Sequence, residues 1–523
     1  MSPPRHALLA IVAHARTGAL AHAWQLYRDA GFERENEDPA VLTVRGRLLK
    51  DLAAASRGDE RRRLYLEAAD AYAAAGAQSD STYPLINAAT LSLLAGAPER
   101  AHARAALVLA QVDAGAGEPD TAYYQEATRA EALLVLGRVE DAKESLAEAF
   151  RRAPRAWEDH ASTLRQFRLI LEALHADANW LYALQAPRSL HFGGHMAIGQ
   201  SADAVSAGVA ALLDAENIGF GFGALAAGSD ILIAEALLDR GAELHVILPA
   251  RPDAFRELSV APAGRDWGAR YERLLSRADT VRAIAHADLA PPSLALRLGA
   301  EVAMGTAVMQ ARTLASEALQ LLILDGAGFD TPGESPWMRQ AWRGSGRRSH
   351  TLEAPREGQP TPTSPAVAGI ELAAVLAVEA RDASAQALIR LAEAVTSGPE
   401  TSLAPRWSGE AALLAYTTPQ AAAQAALDIL DALGDVEGLR IGGHYGVARR
   451  TADPFGGQDI LLGPAVTVPC DIQFSAPSGA IQVSEDFAAA LNAGPLGCPL
   501  TEYVGDLPPT ETEDEIRLFS LHR

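Results

Sequence analysis

The chain has 523 residues, 49% of them hydrophobic, and carries 45 basic and 66 acidic side chains. This length exceeds what one hydrophobic core organises and predicts about three domains. The net charge of −21 opposes nonspecific attachment to nucleic acid or to an anionic membrane, and we expect neither as a partner. Two cysteines exclude a disulfide scaffold. The sequence shows no charged leader and no apolar span of about twenty residues, so we expect a cytoplasmic protein.

Residues 1–182 are rich in alanine, leucine, arginine and glutamate and poor in β-branched residues, which predicts helices. The stretch Leu136-Gly137-Arg138, followed by small residues and by a stop at Pro154, resembles the second helix of a tetratricopeptide unit. Similar offsets recur at irregular spacing, so the resemblance implies a degenerate helical solenoid. Such an array either binds a protein partner or serves as a rigid spacer, and we favour the protein partner.

One segment of this region is distinctive. The stretch YPLINAAT, residues 83–90, is similar to the YxxINAAT segment in the TRAF-binding region of apoptosis signal-regulating kinases. The similarity is short, and it adds to the expectation of a protein partner.

The region 187–343 contains buried runs that end in small residues. A strand at 189–192 runs into a glycine turn, a strand at 244–248 follows a glycine turn and an apolar helix, and a further strand is expected at 321–324. We also predict that residues 300–303 lead into a helix that opens at 304–306. The carboxyl ends of parallel strands meet at one edge of a sheet, where such folds bind ligands. A nucleotide-binding cleft is therefore expected.

In this cleft, glycines would let the backbone pass close to a ligand, and a helix that begins near Ser229 would offer N–H groups to an anion. Packing of helix on strand is the alternative role of such glycines. Glu235 has two interpretations, a hydrogen bond to a ribose or support of the neighbouring turn. The predicted ligand-binding residues are Gly193, Gly194, His195, Met196, Gly221, Gly223, Ala224, Gly228, Ser229, Asp230, Glu235, Gly305 and Thr306.

These motifs resemble the SLOG superfamily, the Rossmann-like group of the "lonely guy" phosphoribohydrolases and DprA. The resemblance covers residues 188–330 and implies a nucleotide-type ligand. The family's hydrolases carry a catalytic glutamate in a PGGxGTxxE signature, and in this chain Met309 stands at that position. A thioether cannot transfer protons, so the fold is expected and hydrolysis is not.

Residues 344–367 are predicted to be a linker, because glycine, serine, arginine, proline and threonine replace the apolar periodicity there. Beyond it, residues 368–523 alternate strands and helices without a glycine phosphate loop, which predicts a ferredoxin-like α+β sheet. The segments AVLAVE (374–379), RWSGE (406–410) and RIGGHYG (440–446) are similar to class III nucleotide cyclases.

That resemblance implies two acidic metal ligands, an asparagine and an arginine. Glu379 and Glu410 stand at the two metal positions, Thr467 at the asparagine and Asp471 at the arginine. Magnesium demands near-octahedral geometry, and an aspartate repels the phosphates that an arginine would attract. A catalytically degenerate domain is expected, with no cofactor; Mg²⁺ or Mn²⁺ would bind only if cyclase activity were retained.

The sequence thus predicts a multidomain α + α/β + α+β protein: a tetratricopeptide-like solenoid, a Rossmann-like parallel sheet and a cyclase-type sheet. We expect a signalling sensor that binds a nucleotide or a nucleotide-derived messenger, recruits a protein and possesses a cyclase-like domain able to form a homodimer. The alternatives are a divergent cyclase, a nucleotide N-ribohydrolase and a pure scaffold.

Overall fold

A computed structural model describes residues 5–16, 20–79, 81–115, 122–199, 201–264, 266–284, 290–326, 334–357, 367–380, 384–434, 436, 438–509 and 515–523. The chain divides into two compact units, Met1–Ala186 and Pro187–Arg523, called here the helical unit and the sheet unit. The division falls next to the predicted break before residue 187. The proline-rich stretch 358–365 of the predicted linker lies outside the described residues.

The helical unit consists of helices that pack mainly against their neighbours in sequence. The helices are α1 (Arg5–Arg16), α2 (Leu20–Asp29), α3 (Pro39–Ala55), α4 (Gly58–Ala77), α5 (Thr82–Leu94), α6 (Pro98–Asp113), α7 (Ala122–Val135), α8 (Val139–Arg152) and α9 (Trp157–Ala173). Helices α3 and α4, α5 and α6, and α7 and α8 form hairpins.

Small residues allow these hairpins to close. A Cβ atom at Gly46 of α3 would lie 2.7 Å from the ring of Tyr72 on α4, so only glycine fits at this crossing. Gly96 and Gly137 have positive φ angles of 72° and 76° and stand at equivalent turns, after α5 and after α7. The predicted helical character of the region is confirmed.

The sheet unit contains a six-stranded sheet in which every pair of neighbours is parallel. Its strands are β1 (Arg188–Gly194), β2 (Ile218–Gly223), β3 (Glu243–Leu248), β4 (Thr280–Ala283), β5 (Ala318–Leu324) and β6 (Ser349–Glu353). Its helices are α10 (Ala202–Ala215), α11 (Ser229–Asp239), α12 (Pro252–Ser259), α13 (Trp267–Arg277), α14 (Pro292–Thr313) and α15 (Glu334–Gly344). The strand order is β4-β3-β2-β1-β5-β6.

The central strands are apolar on both sides because helices cover both faces of a parallel sheet. Leu190, Leu244, Leu321 and Ile323 are completely or almost completely buried. The strands predicted at 189–192, 244–248 and 321–324 are confirmed as parts of β1, β3 and β5.

A second, eight-stranded sheet follows. Its elements are β7 (Ile370–Ala380), α16 (Ala385–Ser397), β8 (Arg406–Ser408), β9 (Ala411–Tyr416), α17 (Pro419–Leu433), β10 (Leu439–Ala452), β11 (Asp459–Leu462), α18 (Pro464–Ser475), β12 (Ala480–Ser484), α19 (Glu485–Asn492), β13 (Leu500–Leu507) and β14 (Ile516–His522). The order is β13-β14-β12-β10-β7-β9-β8, with β11 paired to β10. Helices lie on both faces of this sheet. Gly442 of β10 contacts α18 on one face, and the next residue, Gly443, lies near Phe487 of α19 on the other.

The two sheets are joined through α14 and α19. Gly305 of α14 lies against the carbonyl of Ala489, with no room for a Cβ atom. Tyr445 of β10 donates a hydrogen bond of 2.6 Å to Glu301 of α14. Arg282 of β4 forms ion pairs with Glu485, at 3.3 Å, and with Asp486, both in the first turn of α19. The two sheets therefore form one packed unit.

Two predictions are corrected here. The helix expected to open at 304–306 begins at Pro292, so residues 300–303, expected to lead into it, are already helical. The predicted linker 344–367 contains β6, which pairs with β5 and completes the parallel sheet. Its sequence, Ser-His-Thr-Leu-Glu, has one aliphatic residue and so lacks the apolar run of a central strand.

Candidate functional site

The parallel sheet has a topological switch point between β1 and β5. The chain leaves β1 through α10 towards β2 on one side, and leaves β5 through α15 towards β6 on the other. The carboxyl ends of the strands at such a point are where open α/β sheets bind ligands. The loop after β1 meets the loop after β6 there: Ile198 pairs with Arg356, and the Glu357 N–H donates to the Ala197 carbonyl at 2.9 Å. We call the loops at 195–199, 224–228, 325–326 and 354–357 the switch-point crevice.

The N-terminus of α11 meets the loop after β1. The hydroxyl of Ser229 donates to the carbonyl of His195 at 2.7 Å, and the Ser229 N–H points to the same oxygen at 3.4 Å. Gly228 has φ 86°, and a Cβ atom there would overlap the carbonyl of Met196. The structure thus brings together Gly228, Ser229, His195 and Met196, four residues predicted for the cleft. The Ser229 hydroxyl holds the loop instead of capping its own helix.

Asp230 connects two of the crevice loops. One carboxylate oxygen accepts a hydrogen bond of 3.1 Å from the Ala226 N–H, and the carboxyl group also accepts from the Gly194 N–H. Its side chain is buried, and burial raises its pKa to about 7, although the two backbone donors act in the opposite direction. Asp230 therefore fixes the ends of β1 and β2, and little of it is accessible to a sugar hydroxyl.

His195 contributes a neutral ring to the crevice. Nε2 lies 2.9 Å from the carbonyl of Ala354, so the ring carries its proton on that nitrogen. Burial lowers the pKa of His195, which keeps the ring uncharged at neutral pH. Nδ1 is buried and has no hydrogen-bond partner among the described residues. The charges of Arg356 and Asp325 act on the ring from neighbouring loops.

The remaining predicted glycines are close-packing positions. A Cβ atom at Gly193 would lie 3.3 Å from Met338, and one at Gly194 would lie 2.5 Å from the Ser229 hydroxyl. Gly221 faces Leu237 of α11, and a Cβ atom at Gly223 would lie 2.7 Å from the carbonyl of Phe192. These glycines bring strands and helices close together, as the alternative interpretation expects. Ala224, half-buried at the end of β2, lies at the crevice itself.

Glu235 and the 305–306 pair lie elsewhere. Glu235 forms an ion pair with Arg270 of α13, through a hydrogen bond of 2.8 Å and a second, shorter one. This contact corresponds to neither of its two predicted roles. Thr306 donates to Val302 within α14 at 2.8 Å, and Gly305 packs on α19. Met304 packs with Ala318 at the opposite end of β5, so the structure does not bring this segment to the crevice.

In the second sheet, the pairing of β7 with β9 brings Glu379 close to Glu410. Glu379 on β7 stands opposite Ala411 on β9, the residue that follows Glu410. The Glu379 carboxylate is buried and accepts a hydrogen bond from the Gln473 amide of α18. Glu410 is exposed in the turn before β9.

Thr467 and Asp471 lie on the exposed side of α18, with Phe474 one turn further on and 73% exposed. A two-metal site needs carboxylates that both face the ligand, and here one of them is covered by an amide. No group of three or more histidine, cysteine or acidic side chains that could hold a metal occurs among the described residues. These residues do not fit a two-metal site.

The sequence analysis did not predict several residues that contribute to the crevice or to the contact between the two sheets. Asp325 directly follows β5 and Arg356 lies three residues after β6, and their signal is a charged residue close to the end of a strand. The residues that join the sheets, Arg282, Glu301 and Tyr445, gave no local signal, because their partners are distant in sequence.

Comparisons with known proteins find similarity for part of the chain. Residues 5–92 match the sequence model of the family described as Tetratricopeptide Repeats-Sensor, which confirms the predicted tetratricopeptide-like character of the N-terminal region. A search of curated proteins gives no match to this chain. In the portion of the chain that the structure describes, no helix is long and apolar enough to cross a membrane.

Several solved nucleotide cyclases are similar to part of the chain. The adenylyl cyclase CyaB from P. aeruginosa is 9% identical, with a TM-score of 0.25, over 29% of this chain and 95% of that chain. An adenylate/guanylate cyclase/hydrolase from Silicibacter pomeroyi is 20% identical, with a TM-score of 0.24, over 30% of this chain and 99% of that chain. The guanylate cyclase domain of RhGC from Catenaria anguillulae is 15% identical, with a TM-score of 0.23, over 29% and 96%. The predicted similarity to cyclase domains is found, and it concerns the fold alone.

Proposed function

We propose that this protein is a signalling sensor that binds a nucleotide or a nucleotide-derived messenger in the switch-point crevice of a SLOG-like, Rossmann-like domain. The observation that carries the proposal is the convergence of the α11 N-terminus, the β1 loop and the neutral His195 at the switch point. In this proposal the tetratricopeptide-like helices recruit a protein partner. The cyclase-like domain is a regulatory pseudoenzyme.

The crevice suits a ligand that approaches the backbone closely. Ala224, Ala226 and Ala250, at the ends of β2 and β3, are half-buried and have the smallest side chains after glycine. Backbone N–H groups and the N-terminal end of a helix dipole attract phosphate oxygens. The guanidinium group of Arg356 would add a positive charge at the edge of the crevice, and His195 Nδ1 would accept a hydrogen bond from a hydroxyl or an amino group.

Binding is tested at Ala224 rather than at Gly223, because any side chain at Gly223 would strike the Phe192 carbonyl and disturb the sheet. We expect Ala224→Asp to weaken binding of AMP or ATP by at least about tenfold, since its carboxylate would repel phosphate at the crevice. Isothermal titration calorimetry on the full chain measures the affinity.

Ala236→Asp is the matched control, since Ala236 is also half-buried but lies on α11 away from the strand ends. Equal nucleotide affinity in wild type and in both variants would remove the crevice from the proposal. A parent protein that binds none of a nucleotide panel would leave the scaffold as the function.

The cyclase-like domain is proposed to form a homodimer through α18. Helix α18 lies on the face of the second sheet opposite to α19 and α14. The first sheet packs through α14 and therefore does not cover α18. Phe474→Asp is expected to convert a dimer to a monomer in sedimentation velocity, because it places a charge in an apolar contact. Tyr182→Asp, at another exposed aromatic residue, is the control. A dimer that survives Phe474→Asp would refute this interface.

A divergent cyclase remains the competing function, favoured by the register that sets Glu379 beside the Glu410 turn. It requires cyclic product from ATP or GTP in the presence of Mn²⁺, and loss of that product in Glu379→Ala. Absence of turnover at high protein concentration supports the pseudoenzyme.

A further inference from the structure

A short segment after β6 crosses the loop that follows β1. This segment, residues 354–357, is called here the strap. Its first residue, Ala354, is fully buried, and its carbonyl accepts a hydrogen bond of 2.9 Å from Nε2 of His195. Further along, Arg356 pairs with Ile198 in an antiparallel bridge. The strap is therefore fixed to the β1 loop at two points.

The end of the strap lies against Gly199. The Glu357 N–H donates to the carbonyl of Ala197 at 2.9 Å, and the Glu357 carboxylate lies so close to Gly199 that an added Cβ atom would overlap both of its oxygens. Gly199 is buried, although Glu357 as a whole is exposed. The carboxylate thus fills the space that the missing side chain of Gly199 leaves.

Gly199 differs from the other glycines of the crevice. At Gly194, Gly223 and Gly228 an added Cβ atom would strike backbone carbonyl groups, which cannot yield. The φ angle of Gly199 is one that any residue can adopt, and its neighbour is the end of a flexible side chain, which can swing away. The space beside Gly199 is therefore one that a different group can take.

This space suits an anion. Gly199 lies three residues before Ala202, the first residue of α10, and the N-cap side chain of Ser201 does not cap that helix. Free N–H groups and the positive end of a helix dipole attract carboxylates and phosphates alike. In the same loop His195 is only 4% exposed, and its buried Nδ1 has no partner among the described residues. This unpaired acceptor points independently to a ligand.

We propose that the strap is a built-in competitor of the messenger. The Glu357 carboxylate occupies the place beside Gly199 that an anionic group of the messenger takes. Binding lifts residues 355–357 from the β1 loop, while Ala354 remains in the hydrophobic core. This inference rests on the proposed function and adds the regulation of the crevice. Because the two anions exclude each other, the strap raises the concentration of messenger at which the crevice fills.

Removal of the carboxylate tests the competition. We expect Glu357→Ala to tighten binding of AMP or ATP by about five- to tenfold in calorimetry on the full chain, because the closed strap no longer holds the anion position. Asp203→Ala is the matched control, since Asp203 is exposed in the first turn of α10 and its loss removes an equal charge from the same helix end. An equal gain in both variants would reduce the effect to general electrostatics and overturn the proposal.

Gly199→Ala is expected to have the opposite effect on affinity. Its methyl group displaces the Glu357 side chain but also fills the anion position, so nucleotide binding should weaken by at least about tenfold. Hydrogen exchange of the amide of residue 357 should become faster in both Gly199→Ala and Glu357→Ala, because that N–H is protected by Ala197 only while the strap is closed. A strap that only stabilised the fold would not change affinity in opposite directions in the two variants.

A disulfide can hold the strap closed. Ile198 and Arg356 oppose each other in an antiparallel bridge, where Cα atoms lie about 4.5–5.5 Å apart, within the range of a disulfide. Ile198→Cys combined with Arg356→Cys is made in a chain whose two free cysteines, Cys470 and Cys498, are replaced by serine. The oxidised form should bind nucleotide at least about tenfold more weakly than the same protein after reduction. Comparison of the two redox forms cancels the cost of replacing the buried Ile198.

The outcomes separate the strap from the crevice. If the parent binds a nucleotide but the oxidised and reduced forms bind it equally, or if Glu357→Ala binds it no better than the parent, the strap does not regulate the crevice, which remains the binding site. If neither the parent nor Glu357→Ala binds a nucleotide, the proposed function fails and the regulation with it. Binding that tightens in Glu357→Ala and is lost on oxidation of the double cysteine variant supports both.

Discussion

Gly305→Ala is expected to lower the free energy of unfolding of the sheet unit by about 2–3 kcal/mol, because the added methyl group overpacks a closed contact. The methyl group would enter the space of the Ala489 carbonyl oxygen, which is backbone and cannot rotate away. Helix α14 would have to move away from α19, and Arg282 and Tyr445 would then lose their partners across the same contact. Hydrogen–deuterium exchange of amides in β5 and β10, followed at increasing urea concentration, measures this free energy in the full chain.

Gly208→Ala is the matched control. Gly208 lies in the interior of α10, and a Cβ atom there would lie 3.6 Å from Leu352, an ordinary contact. The higher helix propensity of alanine should then raise stability by about 0.5–1 kcal/mol. If Gly305→Ala also raised stability, the close contact between α14 and α19 would be refuted.

Packing through Gly305 bears on how the sensor would work. A messenger in the crevice can influence the cyclase-like domain only if it changes the relative free energies of two arrangements of the sheet unit. Helix α14 begins near the end of β3, where Gly299 meets Pro249, and further along contacts α19. A single helix therefore reaches from the carboxyl end of β3 in the first sheet to the second sheet.

The sequence predicted the strands of this unit well where apolar runs are bounded by turns. The strands β3 and β5 contain the predicted stretches 244–248 and 321–324, because both are apolar runs that lie largely buried in the parallel sheet. In the candidate site, the turn from Gly228 to Asp230 and the loop after β1 were predicted to converge, and they do. Local periodicity was sufficient in these places.

Prediction failed where tertiary contacts set the role of a residue. Residues 304–306 have the small residues of a βα turn, but the helix start was signalled earlier, by Pro291 and Pro292. Gly305 is small because another helix crosses it, and Glu235 is charged because Arg270 lies opposite. In both cases the partner is separated by many residues, so no local pattern could reveal it.

Asp230→Asn is expected to stabilise the sheet unit by about 2–4 kcal/mol at pH 8 and to leave it unchanged near pH 4. The pKa of Asp230 rises from 3.8 to about 7 on folding, because burial disfavours its charge. Between these values the native state binds a proton that the unfolded state has released, so stability falls as pH rises and the loss is complete above pH 7. A shift of about three pKa units corresponds to at most about 4 kcal/mol, which is the upper limit of the expected gain.

The measurement is the exchange-derived free energy of unfolding of wild type and variant from pH 4 to pH 8. Asp239→Asn, at the exposed end of the same helix, serves as the control. A stabilisation by Asp230→Asn that is independent of pH would mean that the carboxyl group is not buried as described.

A carboxylate that costs this much at neutral pH needs a reason for its presence, since asparagine would fill the same space. Asp230 holds the N–H groups of Gly194 and Ala226, the two loops on which the crevice depends. Functional sites commonly retain destabilising residues of this kind. If Asp230→Asn gains stability and loses nucleotide affinity together, the carboxylate is a positioning residue of the crevice. A gain in stability with unchanged affinity would assign Asp230 to the fold alone.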